Sequence, residues 1–394
     1  MNRGVRVSKA LILLGCTGSI GRQTLDVVCA NRDAFHIAGV SARRLSESLL
    51  ATIREIKPDV VAVESETDAK RLADEFPGLT VFSGSSALKR LAALDQSALV
   101  VNALSGSIGI EPTLAALTNG CDVALANKET LVAAGQLVME TARLRGVDVI
   151  PVDSEHVALA QCLNGNSLRS VEKLLITASG GPFRGKTRAE LKDVTVEQAL
   201  AHPNWSMGSK ITVDSATLMN KGLEILEAHH LFQIPLDQIE ALIHPQSIVH
   251  SMVQFRDGAM MAQLGAHDMR IPIHYALFYK QGRKDSQLPR INLLEIGQLT
   301  FEQPDFITFP AVTLAMQCGK MGGTIPAVMN AANEVAAHAF LRGELAYLKI
   351  IEMVSAVVEA HTPTYNPTLE EILDADRLAR DETEKRIRKQ VEMH

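Results

Sequence analysis

The chain has 394 residues, 46% hydrophobic and 21% charged, the composition of a globular protein with length for two or three domains rather than of a disordered chain. A net charge of −6 argues against a general nucleic-acid binder, but not against small anionic substrates, which a few local Arg and Lys side chains can hold. Five scattered cysteines (Cys16, Cys29, Cys121, Cys162, Cys318) without a C-x-x-C pair argue against a disulfide framework and a thiolate zinc site, and for a reducing compartment.

Arg3, Arg6 and Lys9 precede an apolar run, residues 10–16, with the outline of a lipoprotein signal peptide. The run is too short for such a segment and makes a better first strand. No stretch approaches the roughly 18 apolar residues that span a membrane. The chain therefore reads as cytoplasmic, unprocessed and without a membrane partner.

From residue 10 to 150, short apolar runs (10–15, 36–41, 59–63, 80–82, 98–104, 122–126 and 147–152) alternate with helical patterns such as 22–30, 46–56 and 130–145. That alternation predicts βαβ units, hence a doubly wound α/β domain with a parallel sheet covered on both faces. From 151 to 285 the pattern changes. A helix over 157–163, a strand over 173–178, a long polar segment over 180–209 and a helix over 216–232 precede strands at 239–244, 248–255 and 259–264. Adjacent strands of this kind predict a central α+β domain with a mixed or antiparallel sheet. Residues 286–310 read as a linker. Helical patterns over 311–321, 325–342, 345–360 and 368–390 then predict a C-terminal helical bundle within 311–394.

The first strand runs into Gly15, Gly18 and Gly21 and then a helix. Glycines let the backbone turn tightly and approach a pyrophosphate, and the helix N-terminus offers free N–H groups. The spacing is G-x-x-G-x-x-G rather than G-x-G-x-x-G, but its place between strand and helix at the head of a βαβ array makes the domain Rossmann-like and dinucleotide-binding. After the second strand no Asp or Glu waits for a ribose hydroxyl. Ser41-Ala42 leads instead into Arg43-Arg44, two guanidiniums suited to the 2′-phosphate of NADPH.

Asp153, Ser154, Glu155 and His156 follow a strand. If extended geometry persists, Asp153 and Glu155 point the same way and offer hard oxygen ligands to Mg²⁺ or Mn²⁺; a helix cap is the bland alternative. On a helix, Asn220, Lys221 and Glu224 share a face and could hold a phosphate or hydroxyls beside a metal, or could be an ordinary surface ion pair. Gly180, Gly181, Gly185, Arg184 and Lys186 open the polar segment. It continues to His202, Asn204, Trp205, Met207 and Gly208 and suits a lid over a bound substrate. His202 and His244, beside prolines at element ends, are better chemical candidates than His229, His230, His250 and His274.

Taken in order and at their spacing, these strings, with Ala126-Asn127-Lys128-Glu129, Ser179 to Phe183, His244 to Ser247 and Asp268-Met269-Arg270, resemble the 1-deoxy-D-xylulose 5-phosphate reductoisomerase family over nearly the whole chain. The resemblance implies an NADPH- and divalent-metal-dependent oxidoreductase. It would isomerise and reduce 1-deoxy-D-xylulose 5-phosphate to 2-C-methyl-D-erythritol 4-phosphate in non-mevalonate isoprenoid synthesis, as a homodimer. It further implies an NADPH-binding domain over 1–150 and a catalytic domain over 151–285. Asp153, Glu155 and Glu224 would hold the metal. Ser154, Ser179, Ser215, Asn220 and Lys221 would bind substrate, with Lys128 near the reacting centre and His202, Trp205 and Met207 in the closing loop. Thr17, Gly18, Ser19, Ile20, Arg43, Arg44, Asn127, Glu129, Gly208 and Met269 would line the cofactor site.

The sequence departs from the family at a few points. Cys16 stands where Ser is more usual, Arg43-Arg44 where some members carry Lys-Asn, and the segment after His156 is short. The N-terminus lacks the Ser- and Arg-rich extension of plastid forms, which favours a bacterial cytoplasmic protein. Two rivals differ in kind. A semialdehyde dehydrogenase would need a nucleophilic cysteine, and neither Cys121 in a strand nor Cys162 on a helix has that setting. A nucleotide-binding redox sensor would have no use for three acids at a metal.

Overall fold

The computed structural model describes residues 8–205 and 207–392, so that Arg3, Arg6 and Ser206 lie outside the described residues. The chain divides into two compact units. The first takes the described residues up to Thr130 together with Val138–Val157 and Asp268–Leu288. The second takes Leu131–Leu137, Ala158–His267 and the described residues from Pro289 onward.

Seven short strands build the first unit: β1 (Lys9–Leu14), β2 (Phe35–Ser41), β3 (Val60–Ala62), β4 (Thr80–Phe82), β5 (Leu99–Asn102), β6 (Asp122–Leu125) and β7 (Val149–Pro151). All pair in parallel in the order β4-β3-β2-β1-β5-β6-β7. Leu11, Ile12, Leu13 and Leu14 are all fully buried. A parallel strand with helices on both faces has no solvent side, so its sequence runs apolar instead of alternating. Helices α1 (Ser19–Cys29), α2 (Glu47–Ile56), α3 (Glu66–Glu75), α4 (Ala87–Ala92), α5 (Ile110–Thr118) and α6 (Lys128–Arg145) follow β1 to β6 in turn, and α7 (Ser154–Leu163) follows β7. From β1 the sheet grows one way through β2 and the other way through β5. The glycine turn that ends β1 therefore lies at the topological switch point, where open α/β sheets bind ligands.

The second unit holds a four-stranded sheet of β8 (Val171–Ala178), β9 (Ile239–Ile243), β10 (Val249–Phe255) and β11 (Met260–Leu264). Its order is β11-β10-β8-β9, with β8 and β9 parallel and the other pairs antiparallel, the mixed sheet that adjacent strands imply. Between β8 and β9 lie α8 (Val196–Leu200), within the polar segment, and then α9 (Ser209–Thr217) and α10 (Met219–Phe232). Helix α11 (Arg270–Leu277) belongs to the first unit and packs on α1. One further turn, α12 (Leu293–Ile296), interrupts the linker. Helices α13 (Ala311–Met321), α14 (Ile325–Leu341), α15 (Lys349–Ala360) and α16 (Leu369–Glu392) complete the chain. Helix α14 is apolar nearly all round because it is the axis of this bundle, packing on α13, α15, α16 and α9.

One expected element divides. The helix expected over 216–232 is broken at Leu218, whose φ of 62° ends α9 and starts α10 in a new direction. A left-handed Leu costs about 1–2 kcal/mol, which burial of its side chain offsets. No Gly or Pro marks the break, so the apolar periodicity runs through it unbroken. The helix expected over 157–163 begins earlier, at Ser154.

Candidate active site

Gly15 ends β1 with a φ of +85°, and its N–H reaches the Ser41 Oγ of β2 at 2.9 Å. A Cβ on Gly21 would lie 2.1 Å from the Gly15 carbonyl oxygen, so α1 and the turn touch backbone to backbone. A Cβ on Gly18 would meet nothing nearer than 3.6 Å, which leaves its outer side open to a ligand. No side chain caps α1 and no acid sits in its first turn, so the N–H groups around Thr17, Ser19 and Ile20 present positive potential. Cys16 is fully buried, and burial pushes its thiol up to about 12, the behaviour of a core residue. Beyond β2, Arg43 is exposed and paired with Glu64 at 3.0 Å. Arg44 is exposed and has no ion pair among the described residues.

Asn127 caps α6 by accepting the Thr130 N–H at 3.0 Å, and its amide donates to Leu104 O, Gly106 O and the buried Glu129. One amide thus ties the ends of two neighbouring strands together. Met269 precedes α11, at a turn fixed by the Asp268–Arg270 ion pair at 2.6 Å.

The extended geometry expected at Asp153 and Glu155 does not persist. Beta-structure ends at Pro151, and Asp153 caps α7: its Oδ1 accepts the Glu155 N–H at 3.2 Å and its carbonyl accepts Val157 N–H at 2.9 Å. Glu155 lies in the first helical turn, where Ser154 Oγ donates to its carboxylate. The bland reading of a cap is thus part of the arrangement. It leaves Asp153 Oδ2 facing Lys128 Nζ at 3.1 Å, while the fully buried His156 ring holds Oδ1 at 3.0 Å. The sequence alone assigns His156 no role; its position three residues after a capping Asp is the signal that it holds that carboxylate.

In the second unit α10 does place Asn220, Lys221 and Glu224 on one face. Both Asn220 Nδ2 and Lys221 Nζ donate to Glu224, whose carboxylate is buried, as is Lys221. An exposed ion pair is thereby excluded. Ser215 lies in the last turn of α9, and Gly208 caps its first.

Ser179 and His202 also meet. His202 Nδ1 accepts the N–H groups of Asn204 (3.2 Å) and Trp205 (3.0 Å), so the neutral ring carries its proton on Nε2 and donates it to Ser179 Oγ at 3.1 Å. Burial, with the like charge of His267 second, lowers the His202 pKa and favours that neutral form. Ser179 Oγ also accepts from Gly181 N–H, which leaves its own hydrogen to point elsewhere. Asn204 latches the loop to the β9–β10 turn through Pro245 O (2.7 Å) and Ser247 Oγ (2.8 Å), contacts with no sequence signature. Trp205 is half-buried, edge-on to His267 at 5.5 Å and tilted to His250 at 6.1 Å. His244 is structural: it is fully buried, Nδ1 donates to Thr300 O, and Nε2 accepts Ile248 N–H.

Carboxylates are hard oxygen donors, and Asp153, Glu155 and Glu224 suit Mg²⁺ or Mn²⁺ better than a thiophilic ion. Lys128 and Lys221 supply positive charge beside two of them. Cysteine chemistry is disfavoured, because burial raises the thiol pKa of Cys121 and takes that of Cys162 to about 11. Among the described residues no helix is long and apolar enough to cross a membrane.

Three family models, for 1-deoxy-D-xylulose 5-phosphate reductoisomerase and for two of its C-terminal domains, match residues 11–135, 149–232 and 264–382. The 1-deoxy-D-xylulose 5-phosphate reductoisomerase of Exiguobacterium sibiricum is 48% identical over 375 residues, covering 94% of this chain and 97% of that one. Among solved structures, the reductoisomerase of Zymomonas mobilis in complex with NADPH is 39% identical with a TM-score of 0.90, covering 97% of this chain and 99% of that one. A reductoisomerase in complex with NADPH, fosmidomycin and magnesium is 35% identical with a TM-score of 0.90, covering 96% and 98%. With family models matching most of its length and a relative 48% identical over 94% of it, the chain belongs to the 1-deoxy-D-xylulose 5-phosphate reductoisomerase family.

Proposed function

We infer that this chain converts 1-deoxy-D-xylulose 5-phosphate to 2-C-methyl-D-erythritol 4-phosphate, with NADPH as reductant and Mg²⁺ or Mn²⁺ as cofactor, in non-mevalonate isoprenoid synthesis. The observation that carries the reading beyond family membership is that each unit pairs a largely buried acid with a lysine, Asp153 with Lys128 and Glu224 with Lys221. Such charges are costly to bury and are found where chemistry needs them.

Asp153, Glu155 and Glu224 are the proposed metal ligands. When bound, the metal supplies a Lewis acid and a template for the substrate's ketone and neighbouring hydroxyl. Ser215, Asn220, Lys221 and the outward hydroxyl hydrogen of Ser179 bind the substrate, chiefly its phosphate, and Ser154 adds a donor. His202 keeps its Nε2 proton directed at Ser179 and stays uncharged beside the phosphate. Trp205 closes an apolar side over the substrate and excludes water. Lys128, fixed by Asp153, holds positive charge near the reacting centre. The cofactor lies against Thr17, Gly18, Ser19 and Ile20, with Arg43 and Arg44 at its 2′-phosphate and Asn127, Glu129, Gly208 and Met269 completing the site.

By this reading residues 1–150 bind NADPH, 151–285 carry catalysis with a closing loop at 180–209, 286–310 link, and 311–394 form the C-terminal helical domain. The enzyme works as a cytoplasmic homodimer, and its five free cysteines suit that compartment. The test is NADPH oxidation, followed by absorbance, with 1-deoxy-D-xylulose 5-phosphate, with and without Mg²⁺ or Mn²⁺, beside Asp153→Asn. Metal-dependent oxidation that the variant lacks supports the reading. NADPH binding without turnover on this substrate overturns it.

A further inference from the structure

Ser215 is gripped through its neighbours. On one side Asp214, almost fully buried, has a carboxylate held by Lys210 Nζ at 2.8 Å and by the Asn333 Nδ2 of α14, also at 2.8 Å. On the other side the Ala216 carbonyl accepts the Tyr347 hydroxyl at 2.7 Å. Tyr347 is itself buried, edge-on to Phe183 at 5.0 Å and Phe340 at 6.0 Å, so its hydroxyl has little freedom. Behind Ser215, Gly181 comes so close that a Cβ there would lie 2.7 Å from the Ser215 carbonyl oxygen. The chain then turns at left-handed Leu218 and delivers Asn220 and Lys221 within the next three residues.

These contacts are dear for a fold that needs only helix packing. A buried carboxylate in mid-helix is tolerated only when paired, and apolar residues would join α9 to α14 at least as well. Asn333 comes from α14 and Tyr347 from the turn before α15, yet both act within one residue of the same serine.

We propose that Asn333 and Tyr347 are positioning residues for the substrate phosphate: through Asp214 and Ala216 they fix the corner between α9 and α10 that presents Ser215, Asn220 and Lys221. The C-terminal helices then contribute to substrate affinity as well as to stability. This rests on the reading of Ser215 as a phosphate ligand. Lys210 neutralises Asp214 and lets the carboxylate serve as the buried anchor that Asn333 holds.

The test compares Tyr347→Phe and Asn333→Ala with Ser215→Ala in the full-length enzyme, measuring kcat and KM for both substrate and NADPH. Tyr347→Phe removes one oxygen and keeps the aromatic packing, so it is the variant that survives if Asn333→Ala does not fold. Expected is a rise of about tenfold in KM for the phosphorylated substrate with KM for NADPH within twofold of the parent, the loss of one oriented hydrogen bond read out at a neighbouring ligand. An unchanged substrate KM in Tyr347→Phe, or equal rises for substrate and NADPH, overturns the proposal while Ser215→Ala raises substrate KM. If Ser215→Ala itself leaves substrate KM unchanged, it is the phosphate reading that fails, and the proposal with it.

Discussion

Two glycines of one turn should fail in opposite ways. Gly21→Ala puts a methyl group 2.1 Å from the Gly15 oxygen and 2.7 Å from Cys16 Cα, both backbone atoms. Helix α1 and the turn must part by more than 1 Å to restore ordinary contact. Overpacking of that kind costs about 1–3 kcal/mol, and it disorders the turn that should receive the pyrophosphate. Gly18 differs on both counts. Its φ of −73° and ψ of 172° suit alanine, and the nearest atom to a new Cβ would be 3.6 Å away. Gly18→Ala should therefore fold as well as the parent, or better by about 0.4–1 kcal/mol through lost freedom of the unfolded chain. Its methyl group would nevertheless occupy the open side where the pyrophosphate approaches. We expect NADPH affinity to fall about 30-fold, roughly 2 kcal/mol. Thermal unfolding without cofactor and fluorescence titration with NADPH separate the two effects. Gly18→Ala binding NADPH as the parent does, or Gly21→Ala matching the parent's stability, would refute the reasoning.

Glu224→Gln should lower turnover at least about a thousandfold at saturating metal and leave NADPH affinity within twofold. It should also cost roughly 3 kcal/mol in urea unfolding, because the buried Lys221 ammonium loses this carboxylate as a charged partner; normal turnover would contradict the assignment. Arg44→Ala should weaken NADPH about tenfold relative to NADH, and Arg43→Ala less, since Arg43 already faces Glu64. Equal affinity for both nucleotides in the parent would defeat that expectation. Burial, with the like charge of His229 second, pushes His230 from 6.5 to about 4. The unfolded chain takes up this proton as pH falls through 6.5 and the folded chain only near 4. The group's contribution is therefore intact above 6.5 and declines across that window by roughly 3 kcal/mol. Urea unfolding at a series of pH values should show a steeper loss in the parent than in His230→Gln, and parallel curves would count against it.

The first unit was legible because a doubly wound sheet writes itself locally. Each strand is a short apolar run, and a glycine turn follows the first. What no periodicity conveys is order: β1 lies between β2 and β5 because of long-range pairing, and that pairing places the turn at the switch point. The break at Leu218 escaped for a related reason. Its conformation is imposed by packing of α9 and α10, and tertiary packing overrides the local pattern that joined them. His244, chosen for its place beside Pro245, is consumed by two backbone partners that only the folded loop supplies.

At the acidic residues the sequence conveys residue types and spacing but not how the side chains are held. Asp153 and Glu155 were read as two residues of an extended strand, whereas one caps a helix and the other begins it. The difference lies in local geometry: one Asp153 oxygen caps the helix and the other faces Lys128. Asn220, Lys221 and Glu224 were placed on one face correctly, since helical spacing alone settles that. Their burial was not foreseeable: a Lys–Glu pair three apart is ordinarily solvated, and its burial depends on tertiary packing around α10 that spacing does not convey. Burial is what changes its meaning. A solvated pair contributes little to stability, and a buried one contributes less than the apolar residues that could replace it. Stability therefore does not explain why Lys221 and Glu224 occupy that face, or why Lys128 and Asp153 occupy theirs; the proposed roles beside an anionic substrate and a divalent cation would.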